Sequence, residues 1–256
     1  MKDSITQVVA KKKIKNVVII VAWILIWEGL SRWIHNDIFL PGPWNVLRSF
    51  VHLMNTKDFW MSIVHTLLRI GLGFIIGFLS AVIIGSLSCK FHLLLDFLSP
   101  IISMIKTIPV ASFIILLLVW VSSKYLSIYI SLLVTFPIIY ITMIEGFSNV
   151  DRRLLEMAQV FEVKSVTKIR YIYFSELLPF VKSSVKVAIG MCWKAGISGE
   201  IIGLPKYSIG EQLYISKLYL NISDLFAWTF LIVLICYLFE KIFFIFLHQI
   251  EKRLIS

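Results

Sequence analysis

Charged residues are scarce in this sequence. Asp, Glu, Lys and Arg make up 16% of the 256 residues, whereas hydrophobic residues make up 59%, a balance that ordinary soluble domains do not show. The long apolar runs lack strict alternation, which excludes an outer-membrane β-barrel. One helical span needs about 20 mostly apolar residues, so there is room for roughly five to seven spans. We therefore predict an all-α polytopic membrane protein.

Cysteine, histidine and phosphate-binding motifs are also poorly represented. The three cysteines lie in apolar segments without metal-ligand spacing, so neither a disulfide framework nor a metal site is expected. The five histidines are scattered along the chain, which disfavours a membrane-embedded enzyme. No G-x-x-x-x-G-K-[ST] phosphate loop is present. The chain is therefore predicted to have no catalytic site or cofactor of its own, and it cannot hydrolyse ATP by itself.

Six apolar segments are predicted to cross the membrane. They are residues 15–34, 61–88, 100–122, 126–147, 176–203 and 225–247. With this arrangement, sixteen of the 25 Lys and Arg residues lie inside and six lie outside. Basic residues concentrate on the cytoplasmic side of membrane proteins, so both termini are expected in the cytoplasm. The net charge of +10 is therefore attributed to the membrane topology, and we do not expect a nucleic-acid interface.

The chain divides into three predicted parts. Residues 1–60 hold the cytoplasmic N-terminus, the first span and an outer amphipathic segment, 61–247 form the transmembrane domain, and 248–256 form a cytoplasmic tail. The second span carries several small residues at helical spacing, which let neighbouring helices approach closely in lipid. These are Gly71, Gly73, Gly77, Ser80, Ala81 and Gly85.

The longest charged interval, residues 151–175, lies between the fourth and fifth spans on the predicted cytoplasmic side. Its apolar residues recur at steps of three and four, which predicts a helix with one apolar and one charged face. Such a helix lies on the lipid surface or docks into a soluble partner.

Residues 156–179 resemble the EAA motif of the permease subunits of ABC importers. Glu156, Met157 and Ala158 stand for the opening Glu-Ala-Ala triplet, and Ile172 stands for the later Ile. Four other stretches resemble the nitrate/sulfonate/taurine-type permeases in particular. They are LPGP (40–43), HTLLRIGLGFIIGFLSAVIIG (65–85), KTIPVASFIILLLVW (106–120) and LLPFVKSSVKVAIGMCWKAGISGEIIG (177–203).

The resemblance implies a type I importer transmembrane domain in the inner membrane of a bacterial-type cell. It further implies an ATPase subunit, in two copies, that binds ATP and Mg, a second permease copy that forms a homodimer, and an extracytoplasmic binding protein that delivers a small anionic or organic solute. The 151–175 segment would act as the coupling helix. The residues implied in ATPase coupling are Glu156, Met157, Ala158, Phe161, Glu162, Ile172 and Pro179. The alternative, an ion-gradient-driven secondary transporter or channel, would require acidic residues near the midplane of several spans.

Two positions depart from the family pattern. Glu162 stands where the family has Gly, and Phe174-Ser175 stand where it has Leu-Pro, although Leu178-Pro179 follow closely. Because a non-Gly residue at the turn costs about 1–2 kcal/mol, we expect one of two outcomes. Either the turn moves and is capped by Ser165, or the two short helices merge.

Ionisable residues inside spans are costly and mark functional candidates. Arg69, Lys194 and Glu200 fall in the outer half of the membrane, and we hypothesise that Arg69 and Glu200 pair to brace an outer gate with Lys194 nearby. The alternative is that the long basic side chains reach the outer interface. Pro109 is expected to break or bend the third span, which is tolerable only against protein or a water-filled cavity. Lys106 beside it faces the cytoplasmic vestibule or the pathway, or else is a solvated residue at a span edge.

Overall fold

The computed structural model describes the backbone of residues 2–255 and the side chains of Lys15 and of residues 17–253. Throughout residues 2–255 the regular structure is helical, as the composition predicts. The helices are α1 (Lys2–Ile34), α2 (Pro43–Met54), α3 (Lys57–Lys90), α4 (His92–Thr107), α5 (Val110–Leu118), α6 (Ser123–Ser148), α7 (Arg152–Val160), α8 (Ser165–Lys168), α9 (Phe174–Gly203), α10 (Ile209–Leu218) and α11 (Ile222–Ile255).

Four helices are long and apolar enough to cross a membrane. They are Val17–Ile34 of α1, Lys57–Lys90, Ser123–Ser148 and Ile222–Arg253. Helices α4 and α5 meet the same criterion as a pair, but they join at a bend of 102°. Helix α9 has 30 residues but carries several charges, so length and composition alone support up to five spans rather than six. Those charges are Glu176, Lys182, Lys186, Lys194 and Glu200.

The chain forms two compact units. The first contains the residues up to Trp60 together with Gln212–Phe230. Aromatic side chains hold it together. Phe59 and Trp228 are both buried with ring centroids 5.2 Å apart, and Trp27 stacks on Phe226 at 5.9 Å.

The second unit contains Met61–Glu211 and the residues from Leu231 onward. Its core includes a buried cluster from α5, α6 and α9, formed by Ile114, Leu126, Ile130 and Ala195. On another side of α3, Phe74 meets Phe243 of α11 edge to face, with ring centroids 5.1 Å apart. Edge-to-face aromatic pairs add about 0.5–1.5 kcal/mol to the burial of their area.

Small residues bring α3 and α6 together, as the sequence predicts. A Cβ added at Gly77 would lie 3.0 Å from the Leu132 carbonyl oxygen, and one at Gly85 would lie 2.8 Å from the Met143 Cβ. A Cβ at Gly73 would collide with the Ile128 carbonyl oxygen. The three glycines thus give α6 close access to the α3 backbone, which is how helices pack in lipid.

The third predicted span is broken at proline. Helix α4 ends at Thr107 and α5 starts after Pro109, which is its N-cap residue. Proline disfavours the α conformation in the residue before it, and Ile108 is extended, with φ −72° and ψ 128°. The break that Pro109 predicts is therefore present.

Candidate functional site

Glu200 is completely buried and joins four helices of the second unit. Its Oε2 accepts hydrogen bonds from Thr66 Oγ1 of α3 at 2.8 Å and from the Gly210 amide of α10 at 3.3 Å. Its Oε1 accepts from Ser127 Oγ of α6 at 3.4 Å and lies 3.8 Å from Arg69 Nη1. We call Glu200, Thr66, Arg69, Ser127 and Gly210 the Glu200 cluster.

The pairing of Arg69 with Glu200 was predicted, and the structure brings the two together. Thr66, Ser127 and Gly210 were not among the predicted residues. Thr66 could have been found, because it precedes Arg69 by three residues and so shares its helix face. Ser127 and Gly210 carried no local signal, since only the tertiary fold brings them to the carboxylate.

The start of α10 is bound directly to the Glu200 cluster. Ser208 Oγ accepts from the Glu211 amide at 3.0 Å, and Glu211 Oε2 accepts from the Tyr207 amide at 2.8 Å, an arrangement close to a capping box. The Ile209 amide donates to Thr66 Oγ1 at 3.0 Å. Together with the Gly210–Glu200 bond, these contacts give partners to the first amides of α10, where a negative charge is also favoured by the helix dipole.

Lys194 takes no part in the Glu200 cluster. Its side chain is exposed, and none of the ion pairs among the residues with described side chains includes it. It precedes Glu200 by six residues, which places the two on different faces of α9. The structure therefore does not bring Lys194 into an ion pair with Glu200.

Lys106 and Pro109 lie at the bend between α4 and α5, beside a cavity of about 240 Å³. The wall of this cavity is apolar apart from Lys106, with Phe113, Pro137 and Met191 among its members. An apolar chamber with a single cation suits an organic body that carries one negative charge.

The segment between α6 and α9 forms two short helices joined by a tight turn. Helix α7 begins at the N-cap Asp151, whose Oδ1 accepts from the Arg153 amide at 2.9 Å. It ends in a Schellman motif. There the Val163 amide donates to the Ala158 carbonyl at 2.9 Å and the Glu162 amide donates to the Gln159 carbonyl at 3.1 Å.

Glu162 holds the turn in the left-handed region, with φ 51°. Both outcomes expected from the sequence are therefore wrong, because the turn stays at residue 162 and the helices remain separate. Ser165 is not the cap either, since α8 begins after Lys164 without a side-chain cap. The two hydrogen bonds of the Schellman motif compensate for the unfavourable conformation of a non-Gly residue.

Replacing Glu162 with Gly is expected to stabilise this turn by about 1 kcal/mol, because Gly adopts positive φ without the Cβ penalty. Glu156→Gly, in the exposed interior of α7, is the matched control and should destabilise the helix by about 1 kcal/mol. Hydrogen exchange of the Glu162 and Val163 amides measures both effects as local opening. Faster exchange at these amides in Glu162→Gly would contradict the prediction.

The remaining residues of the predicted coupling set differ in exposure. Ala158 is buried at 2% exposure, whereas Glu156, Met157 and Phe161 are exposed. Ile172 is half-buried in a π-helical turn (Ile169–Tyr173) that leads into α9, and Pro179 is an exposed residue inside α9.

The end of α11 contacts this region, and these contacts were not predicted from the sequence. Lys182 Nζ pairs with Glu251 Oε2 at 2.8 Å, and His248 Nδ1 lies 3.0 Å from the same oxygen. Arg170 Nη2 donates to the Arg253 carbonyl at 3.4 Å. The Lys182–Glu251 and Arg170–Arg253 contacts join residues 69 or more positions apart, so no local pattern could indicate them.

Long apolar helices, a buried ion pair and a charged segment between α6 and α9 define an α-helical integral membrane protein. Residues 73–256 match the family model described as "Binding-protein-dependent transport system inner membrane component". The chain belongs to this family, and it is a multi-pass inner-membrane transport protein. The resemblance to ABC importer permeases is thereby confirmed.

Named relatives refine this assignment. The "Putative aliphatic sulfonates transport permease protein SsuC" of Bacillus subtilis is 24% identical over 238 residues, covering 91% of this chain and 83% of the relative. The "Nitrate import permease protein NrtB" of Synechococcus elongatus is 23% identical over 197 residues, covering 73% and 70%. The nitrate/sulfonate group predicted from the sequence is confirmed.

One solved structure shows the fold. The MetNI methionine ABC transporter, in an inward-facing conformation, superposes with a TM-score of 0.55 at 15% identity. The match covers 82% of this chain and 96% of the matched chain. The fold is accordingly that of the type I importer transmembrane domain.

Proposed function

We propose that this chain is the pathway-forming subunit of an ATP-driven importer, with six spans and both termini in the cytoplasm. A separate ATPase subunit, in two copies, binds ATP and Mg, and it also binds the segment 151–175 of this chain. A second copy of the chain completes the pathway, and an extracytoplasmic binding protein delivers a small anionic or organic solute. Family membership and the relatives named above support this assembly.

The observation that carries the proposal is the exposed apolar surface between α6 and α9. Val160 is 79% exposed, Phe161 74% and Val166 77%, and they lie in a segment that also exposes the charged side chains of Arg152, Arg153 and Glu156. Large apolar side chains that project from a polar segment mark an interaction site. The Schellman turn fixes Val160 and Phe161 close to the buried Ala158, which suits a segment that passes on rigid-body motion.

The same proposal assigns α9 as a span despite its charges. Glu200 is paired and hydrogen-bonded inside the unit, which is how an ionised side chain is tolerated within a membrane. Lys182 is paired with Glu251 in the first third of α9, from where a long basic side chain can reach water. Helix α9 also presents many buried residues to its neighbours, including Val185, Ile189 and Trp193.

Two regions are assigned to transport within this assembly. The Glu200 cluster braces the outer gate, because it fixes α3, α6, α9 and α10 to each other. The apolar cavity with Lys106 at the Pro109 bend forms part of the pathway, since broken helices are tolerated in membranes where they line a cavity. Lys194, exposed on another face of α9, lies on the surface that a second permease copy or the solute would meet.

Binding of the ATPase subunit tests the assignment. Val160→Asp/Phe161→Asp should reduce co-purification of the ATPase encoded with this chain by about tenfold or more, because buried aromatic and apolar anchors dominate interface energies. Both side chains are exposed, so the fold itself should persist.

Phe39→Asp is the matched control. Phe39 is also 74% exposed but lies on the predicted outer side, so the ATPase should be retained at the level of the unmodified chain. Retention of the ATPase by Val160→Asp/Phe161→Asp would refute the coupling role. Absence of any ATPase from complexes of the unmodified chain would favour the ion-gradient alternative.

A further inference from the structure

A second cavity, of about 500 Å³, opens where α3, the start of α6 and the loop after α9 meet. Its lining includes His65, Arg69, Lys124 and Lys206, together with the turn that starts α6. None of the lining residues is acidic. Such a concentration of basic groups around a polar cavity favours an anionic ligand. This basic cavity is distinct from the apolar one at Lys106.

Arg69 gives the basic cavity a fixed, buried donor. Its side chain is 10% exposed, and Nη2 donates to the Lys206 carbonyl at 3.1 Å. Nη1 is buried without a hydrogen-bond acceptor among the described residues, since Glu200 Oε1 lies beyond hydrogen-bonding distance at 3.8 Å. Arg69 also lines the cavity, so an oxyanion bound there would bring a second negative charge close to its guanidinium group.

The start of α6 provides a second donor group. Ser122 is the N-cap of α6 and makes no side-chain cap hydrogen bond. Ser122, Ser123 and Lys124 all line the basic cavity. Amides at the start of a long helix bind anions through their free hydrogens and the helix dipole. Lys124 adds a mobile positive charge at the same place.

The nearby carboxylates do not neutralise these donors fully. Glu200 accepts from Thr66, Ser127 and Gly210, and Glu211 accepts from the Tyr207 amide. Neither lines the cavity. His65 is held by a contact of Nδ1 with the Met61 carbonyl at 2.8 Å and by stacking on Tyr207 at 5.9 Å. Contacts with neighbouring residues thus hold the groups around the cavity in place before any ligand binds.

We infer that this basic cavity binds a small free oxyanion, such as a carboxylate or sulfonate group. The Arg69 guanidinium and the first amides of α6 attract the oxygens, and Lys124 and Lys206 close over the ligand. Arg69 is shared with the Glu200 cluster, so an occupied cavity is linked to the contacts that hold α3 to α9 and α10. The inference goes beyond the proposed function, because binding requires neither ATP nor transport.

Thermal unfolding of the full-length chain in phosphatidylcholine nanodiscs tests the site. Sulfate and methanesulfonate replace chloride at constant ionic strength, and tryptophan fluorescence reports the midpoint. A ligand that binds only the folded chain raises the midpoint in a saturable manner. Lys124→Gln/Lys206→Gln should weaken the fitted dissociation constant by about tenfold, because charge-assisted hydrogen bonds are lost.

Lys57→Gln/Lys217→Gln is the control, since both lysines are exposed and neither lines the cavity. It should leave the dissociation constant unchanged. Equal weakening by both variant pairs, or no saturable stabilisation at all, would overturn the inference. A parallel titration in a maltoside detergent, which carries no phosphate, should give the same constant. Saturable stabilisation that appears only in the detergent would show that a lipid phosphate occupies the cavity in the bilayer, and would overturn a site for a free solute.

Discussion

Glu200→Gln lowers the free energy of unfolding by about 3 kcal/mol, which is the largest single effect that we expect in this chain. The substitution keeps the shape of the side chain but removes its charge, so the Arg69 guanidinium remains buried without a counter-ion. Breaking a buried ion pair from one side costs about 3–5 kcal/mol. Denaturant titration of the purified chain in detergent measures the change, and Glu145→Gln, at an exposed position of α6, is the matched control.

A double variant separates the charge from the packing. Arg69→Met/Glu200→Gln removes both charges, and replacing both partners of a buried pair is often close to neutral. We therefore expect it to recover most of the stability lost in Glu200→Gln. If the double variant loses as much free energy of unfolding as the two single substitutions combined, the two residues do not act as a pair.

Transport by the same variants tests the gate. The Glu200 cluster ties α10 to three other helices, so loss of the charge should loosen the outer closure and uncouple ATP hydrolysis from uptake. Unchanged uptake and unchanged ATP consumption per solute in Glu200→Gln would contradict the gate role, even if stability falls. The stability prediction and the gate prediction can thus fail separately.

The sequence predicted those features that depend on local chemistry. Pro109 predicted the break between α4 and α5, and the glycines of α3 predicted its close contact with α6. The charge of Arg69 and that of Glu200 predicted a pair, because an ionised group in a span needs a partner. In each case the relevant physics acts through one residue or through one helix face.

The features that were missed or misjudged depend on tertiary contacts. The steric cost of positive φ at Glu162 was assessed correctly, but the two hydrogen bonds from the α7 end outweigh it. Lys194 was placed near Glu200 because both lie late in the same span, but the structure does not bring the two into an ion pair. The pairing of Lys182 with Glu251 joins α9 to α11, and no pattern in either segment indicates the other.

The contact of α3 with α6 leads to the last prediction. Gly73→Ala is expected to lower the free energy of unfolding by about 2–3 kcal/mol. The added Cβ would collide with the Ile128 carbonyl oxygen and lie 2.7 Å from the Ser131 Cβ. The first of these is backbone and cannot rotate away, so the helices must separate, and overpacking of this kind costs about 1–3 kcal/mol.

Gly190→Ala is the matched control for this substitution, because a Cβ at Gly190 in α9 meets nothing within 4 Å. It should leave stability unchanged or raise it by up to about 1 kcal/mol, since Ala is the better helix former. Both variants are compared by denaturant titration in the same detergent. If close packing requires Gly73 but not Gly190, the two substitutions should change the free energy of unfolding in opposite directions. Equal changes in the two variants would mean that α3 does not require Gly73 for its contact with α6.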